Sequence, residues 1–206
     1  MGCRRRCRRA RGMEANTRHA PRRSERPGRI ALASRHPHKL ETLAKETGAT
    51  TFAADATRID EVAAVFTELD RSGSPLDVVL YNASARVRGP IAELDPAAVA
   101  NAINVTAYGG FLVGQEAARR MLPKRDGAIL FTGASASVKG YAQSATFAMG
   151  KFALRGLAQS MARELSPKGI HVAHFVIDGG IRSAARPVPA DNPDSLLDPD
   201  AIAETY

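Results

Sequence analysis

The chain has 206 residues, no Trp and a formal charge of +8, which leaves room for one α/β domain and not for two large ones. The charge is concentrated: residues 1–29 hold eleven Arg and two Glu and carry +9, while the remainder carries −1, so the body offers no basic face to DNA or RNA. Both cysteines, Cys3 and Cys7, lie in that basic stretch without a second Cys or His pair at metal spacing, which argues against a zinc site, excludes a disulfide framework for the body and fits a reducing, cytoplasmic setting.

Residues 1–28 contain no Leu, Val, Ile, Phe, Tyr or Trp. Such a segment supplies neither a core strand nor an apolar helix face, and disorder is expected there. A basic arm for nucleic acid or membrane is one reading. A transit peptide is another, opposed by Glu14, Glu25 and the lack of an apolar face. The preferred reading is that the segment is foreign to the domain that begins at residue 29. A reading frame shifted by one base over Cys7–Arg11 can encode Ala-Val-Ala-Arg, a plausible helix fragment.

From Arg29 the pattern becomes regular. Arg29–Ser34 predicts a strand. Pro37–Thr47 predicts a helix, with an early Pro, Leu40 and Leu43 on one face, and Gly48 as its stop. Thr50–Ala54 predicts a second strand, and Ile59–Leu69 a helix with apolar residues at helical spacing. Leu76–Tyr81 predicts a third strand, followed by one long helix or two over Ala97–Met121. Ala128–Thr132 and His171–Ile177 predict two more strands, with a long helix over Ser144–Leu165 between them. Residues 182–200 read as a loop, a candidate lid, before a helix that starts near Tyr206. No apolar run is expected to reach the ~18 residues of a membrane span. Alternating apolar strands and helices predict a parallel sheet covered on both faces, with ligands at the carboxyl ends of its strands.

Six short motifs follow these elements in order: Ser34-Arg35, Asp55-Ala56, Asn82-Ala83-Ser84, Asn104-Val105, Phe147-Ala-Met-Gly-Lys151 and Asp178-Gly179-Gly180-Ile181. Together they resemble the short-chain dehydrogenase/reductase superfamily over about 150 residues. The resemblance implies a doubly wound Rossmann-type fold and a nicotinamide dinucleotide cofactor. By it, Arg35 meets the 2′-phosphate of NADP(H), where NAD(H) would favour an acid. Asp55 and Ala56 line the adenine, although Asp55 reads equally well as a turn residue capping the next helix. Asn82 and Ala83 lie along the adenosine, with Asn82 pinning the central strands. Gly179 and Ile181 border the nicotinamide. Asn104 and Lys151 belong to the catalytic set, Lys151 also binding the nicotinamide ribose. A polar Asn104 inside an apolar helix is expected to need a hydrogen-bond partner.

The departures concern the chemistry. The family transfers the hydroxyl proton through a tyrosine, and Phe147 stands at that position. The serine thirteen residues earlier falls on Ala134; Ser135 serves only if the turn is bulged. Tyr141 has no Lys four residues on, and Asp178-Gly179 replaces the family's Pro-Gly. The resemblance also implies a first strand and a Gly-rich turn, whose amides bind the pyrophosphate, and a final strand. None of these is found in the sequence, so the sheet is expected to be incomplete, with an open place between the strands at Ile30 and Val78 and with cofactor binding weakened. Three functions follow: an NADP(H)-linked oxidoreductase of a small carbonyl or alcohol, a non-catalytic dinucleotide binder, and a basic-arm adaptor for nucleic acid or membrane. The neutral body favours a small-molecule substrate over the last. The resemblance further implies a homo-oligomer formed through the two long helices, which the small and apolar residues at 107–111 and 153–158 permit.

Overall fold

A computed structural model describes residues 28–183, 185–192 and 194–206. The expectation of disorder for residues 1–28 therefore lies, apart from Gly28, outside the described residues. Two parallel strands open the fold, β1 (Ala31–Ser34) and β2 (Thr50–Ala53), paired from Ala31↔Thr50 to Ser34↔Ala53. Between them a 3₁₀ turn, Pro37–Leu40, runs into α1 (Glu41–Thr47). Gly48 ends that helix in the left-handed region at φ 68°, a conformation that glycine adopts without a Cβ penalty.

The second helix, α2 (Ile59–Arg71), leads to β3 (Val78–Tyr81). The predicted long helix is divided. An α-helical turn pair, α3 (Pro96–Ile103), enters a single π-helical turn, Asn104–Tyr108, before α4 (Gly109–Met121). The side chain of Asp95 caps α3 by accepting from the amides of Ala97 and Ala98, and Pro96 sits at the first helical position. Then come β4 (Ala128–Thr132), α5 (Ala145–Leu165) and β5 (His171–Phe175). Strands β3, β4 and β5 form one parallel sheet in that order, with β4 in the middle. This is a Rossmann-like α/β arrangement.

The core is centred on β4. Ile129 and Phe131 are fully buried, and they pack with Tyr81, Leu112, Met121, Leu154 and Ile170. Helix α5 comes close to α4 because Gly110 faces Leu154; a Cβ there would lie 2.6 Å from Leu154 Cδ1. Helix α2 is tied to α4 by Arg120, which pairs with Asp70 at 2.7 Å and with Glu116 at 2.5 Å. Its guanidinium also lies 5.0 Å from the centroid of the Phe66 ring.

Three expectations change. Cover on both faces holds for β4 but not for β3, β1 or β2: Val78 and Leu80 of β3 are 57% and 50% exposed, and β1 and β2 hold no buried residue. Among the described residues, no strand lies between β1 and β3, so a facing edge of each is unpaired. Second, the helical run Pro96–Met121 is long and apolar enough, by length and composition, to cross a membrane, contrary to the expectation that no run reaches that length. It counts two helices and a π turn as one segment, and its apolar residues Ala102, Val105, Leu112, Ala117 and Met121 are buried within the domain. Third, residues 182–200 are not all loop. Gly180–Ile181 (β6) pairs in parallel with Leu196–Leu197 (β7), and α6 (Pro199–Ala203) follows. Two-residue strands leave no periodicity to read in a sequence.

Candidate active site

The carboxyl end of β4 carries the densest chemistry. Lys151, in the second turn of α5, is buried, and its Nζ donates a 2.6 Å hydrogen bond to the carbonyl oxygen of Thr132. An ammonium has three donors, so two remain for other partners. Burial, with a smaller contribution from the charge of Arg86, brings its pKa down to about 8. Desolvation disfavours the charged form and so eases release of the proton.

Phe147 stands one helical turn before Lys151, with its ring centroid 5.7 Å from Lys151 Nζ. The other face-on neighbour is Arg86, whose guanidinium carbon lies 3.8 Å from the same centroid, in cation–π range. Sequence reasoning missed Arg86. It lies 61 positions from Phe147, and only the fold joins them. A cue existed in its place four residues beyond Asn82, on the loop that leaves a strand's carboxyl end.

That loop is pinned on both sides of Arg86. The amide of Ala85 donates to Thr106 Oγ1 at 3.1 Å, and the amide of Gly89 to the carbonyl of Gln143 at 3.3 Å. Thr106 belongs to the π turn and is buried against Gly150 of α5. The π turn thus connects the loop to the helix that carries Lys151. Single π turns of this kind recur at functional sites.

Ser135 opens a short 3₁₀ turn, Ser135–Ser137, and its amide donates to the carbonyl of Ile177 at 3.0 Å. The buried serine is Ser137, whose Oγ accepts from the amide of Ala134 at 3.1 Å and lies 3.4 Å from His174 Nε2. His174 is a second residue that sequence reasoning missed. Burial, then the charges of Lys151 and Arg155, lowers its affinity for a proton. Gly133 packs directly on the His174 ring, leaving no room for a Cβ.

Asn104 is exposed, and its side chain makes no hydrogen bond among the described residues. The expected hydrogen-bond partner is not found there, because a side chain at the surface can bond to water instead. Asn82 and Ala83 are exposed at the end of β3. Among the described residues no side-chain hydrogen bond pins Asn82 to a neighbouring strand. Gly179 and Gly180 pack on Leu197 and Leu196 of β7, whose side-chain carbons would stand 3.0 Å from an added Cβ. Ile181, next in line, is 36% exposed.

At the other end, Arg35 and Asp55 follow β1 and β2. Asp55 accepts from the amide and hydroxyl of Thr57 at 2.9 and 2.8 Å. The amide of Thr57 contributes most to holding its carboxyl below the usual range, with a smaller share from the charge of Arg35. Asp55 is thus a turn residue near Arg35. It does not cap α2, whose N-cap is Arg58. Ala56 reaches inward and packs on the core beside Tyr81 and Gly109.

The described residues thus place Arg35 and Asp55 after β1 and β2, and the buried ammonium of Lys151 on α5 at the carboxyl end of β4. The first strand and its glycine-rich turn, which would supply the amide row for the pyrophosphate, are not found among the described residues. No group of His, Cys, Asp and Glu suited to a metal ion occurs among the described residues.

Comparison with known proteins agrees with this geometry. The chain is similar to the 3-oxoacyl-[acyl-carrier-protein] reductase MabA of Mycobacterium avium, 34% identical over 127 residues, covering 62% of this chain and 49% of that protein. It is also similar to the inactive 2-(S)-hydroxypropyl-CoM dehydrogenase 2 of Xanthobacter autotrophicus, 33% identical over 159 residues, covering 75% and 68%. A crystal structure of a short-chain dehydrogenase from Rhodopseudomonas palustris superposes with a TM-score of 0.67 at 40% identity, covering 72% of each chain. The chain spans about half the length of the mycobacterial reductases it matches. The short chain dehydrogenase family model matches residues 18–187, reaching back into the segment expected to be foreign to the domain. On that match the chain belongs to the short-chain dehydrogenase family.

Proposed function

We propose that this chain carries the site of an NADP(H)-linked oxidoreductase acting on a small carbonyl or alcohol. The observation that carries the reading is Lys151: a buried ammonium at the carboxyl end of the middle strand, fixed by the carbonyl of Thr132. In this reading Lys151 also holds the nicotinamide ribose, Asp55 the adenine side, and Arg35 the 2′-phosphate, which a guanidinium matches in shape and charge. The dinucleotide, when bound, supplies or accepts the hydride.

The chain's own residues must then handle the proton. Phe147 has none to give. Lys151, with its pKa near 8, is protonated at neutral pH yet releases its proton far more readily than an exposed lysine, which suits a general acid. It takes the role in place of the phenol. Exposed Tyr108 of the π turn and Phe111 of α4, with Met149 and Phe152 of α5, support pairing of two copies through these segments.

A second reading, a binder without turnover, is favoured by the same ring. Arg86 covers Phe147, and the similar Xanthobacter protein is an inactive dehydrogenase. NADPH oxidation against a panel of carbonyls separates the two, measured on the chain and on its Phe147→Tyr and Lys151→Met forms, with NADPH binding measured alongside. Low activity that rises at least about tenfold with Tyr and vanishes with Met supports the oxidoreductase. Binding without oxidation in any form favours the second reading. No NADPH binding at all defeats both.

A further inference from the structure

Arg86 and Lys151 come from different parts of the fold and meet at one ring. The guanidinium carbon of Arg86 lies 3.8 Å from the centroid of Phe147, and Nζ of Lys151 lies 5.7 Å from the same point. Phe147 and Lys151 share a face because they are four residues apart on α5. Arg86 arrives on the loop after β3, which is pinned on one side by the bond from Ala85 to Thr106 and on the other by the bond from Gly89 to Gln143. Arg86 is exposed, and it makes no ion pair among the described residues. What steadies its guanidinium is the ring, a contact that consumes none of its N–H donors.

Two like charges at one ring repel, and only one of them can be shed. A guanidinium stays charged throughout the working pH range, whereas an ammonium can become a neutral amine. No carboxylate pairs with Lys151 among the described residues. The other groups near it are His174 of β5 and Arg155, one turn further along α5. Strand β4 and helix α3 bring no titratable side chain. Tyr108 of the π turn stacks on Phe111, and Glu116, Arg119 and Arg120 of α4 pair among themselves and with Asp70. Burial does most to loosen the proton of Lys151, and the charge of Arg86 adds to it.

We propose that Arg86 is a positioning residue for the proton of Lys151, and that Phe147 is the platform that holds it in place. The proposal rests on the oxidoreductase reading for its use in catalysis, but the coupling itself needs no cofactor. In that reading the carbonyl carbon gains a hydride, its oxygen takes a proton from Nζ, and Nζ keeps the electron pair as a neutral amine. Loss of that proton relieves the repulsion from Arg86, so the fixed charge favours the transfer. The side chain at position 147 thereby has a use that needs no hydroxyl: a phenyl face is enough to seat a guanidinium.

The coupling is tested on the full chain without dinucleotide, by NMR titration of carbon-labelled lysine side chains, with the Lys151 signal assigned by its loss in Lys151→Met. Arg86→Gln should raise the midpoint of Lys151 by about half a pH unit, roughly a threefold gain in proton affinity. Arg86→Lys should keep part of the parent's value, because the charge remains. Salt at about 1 M, where charges are screened within about 3 Å, should raise the midpoint of the parent and leave that of Arg86→Gln almost unmoved, a difference that a merely structural role would not give. Phe147→Leu should raise the midpoint as Arg86→Gln does, and the double variant should add nothing further. An unmoved midpoint in Arg86→Gln, or an equal salt response with and without Arg86, would overturn the proposal. Additive rises in the double variant would mean that the ring acts through burial alone, and would overturn the platform. Carbonyl reduction is measured separately. Where turnover is found, its limb near pH 8 should move upward in Arg86→Gln with the midpoint. A midpoint that moves in a chain without turnover leaves the coupling standing and removes the oxidoreductase reading.

Discussion

Strands β3 and β4 are adjacent, parallel and similarly apolar, Val-Val-Leu-Tyr against Ala-Ile-Leu-Phe-Thr, yet they meet different fates. In β4, Ile129 and Phe131 are fully buried and Leu130 nearly so. In β3, only Tyr81 is buried, while Val78 and Leu80 are half exposed. Composition does not separate the two. Strand β4 has a paired neighbour on each edge and helices against it; β3 is paired on one edge alone among the described residues. Burial is a property of the place a strand occupies, and the residues that hold Lys151 and Thr132 sit in the better place.

The largest consequence is in stability. Leu154→Ala removes a fully buried side chain from against Gly110 and should cost about 2–5 kcal/mol. Leu80→Ala, half exposed on β3, should cost about 1 kcal/mol or less. Urea denaturation of the two variants against the parent checks the ordering. Comparable losses would mean that β3 is as well covered as β4. Hydrogen exchange probes the same contrast through the backbone: the amides of β4 should exchange roughly a hundredfold more slowly than those on the open edge of β3.

Next is the pH dependence set by Lys151. Its folded pKa, about 8, lies below the ordinary lysine value of 10.5. Between those values the unfolded chain binds the extra proton, so stability should rise with pH across that window, by on the order of 3 kcal/mol. Lys151→Met should lack the rise. In catalysis the sign is opposite: if Lys151 is the acid, carbonyl reduction should fall as pH passes about 8. A profile measured on the parent chain and on Phe147→Tyr distinguishes them, because a phenol partner would move the limb.

The reach of sequence reasoning divides along the same line. Strand and helix positions were legible to within a few residues, because apolar periodicity reports which residues face a neighbour. That Phe147 and Lys151 lie close together was legible, because four residues apart on one helix they share a face. Arg86 on Phe147, and Ser137 near His174, were not: each pair lies tens of residues apart and meets only after the sheet forms. The π turn at Asn104 was also invisible. Within it Thr106 fits against Gly150 of α5, a contact made 44 residues away, and no residue type in Asn-Val-Thr-Ala-Tyr announces it. Gly179 reads from the sequence as bordering the nicotinamide, whereas the close approach found there is to Leu197 of β7, a contact that two-residue strands do not announce.

The smallest effect belongs to the β1–β2 side. Asp55→Ala removes the acceptor for both Thr57 bonds, a loss of about 1 kcal/mol for hydrogen bonds at a partly exposed site. Because the amide of Thr57 lowers the carboxyl pKa in the folded chain, that stabilisation is complete above the unfolded value of 3.8 and disappears as pH falls through the folded one. Parent and variant should therefore differ at neutral pH and converge in acid. If Asp55 also meets adenine, the variant should weaken NADPH binding as well, and Arg35→Gln should weaken NADPH more than NADH. A stability loss with unchanged dinucleotide affinity would mean that Asp55 serves its turn alone, and the site would then rest on β4 and its two flanking loops.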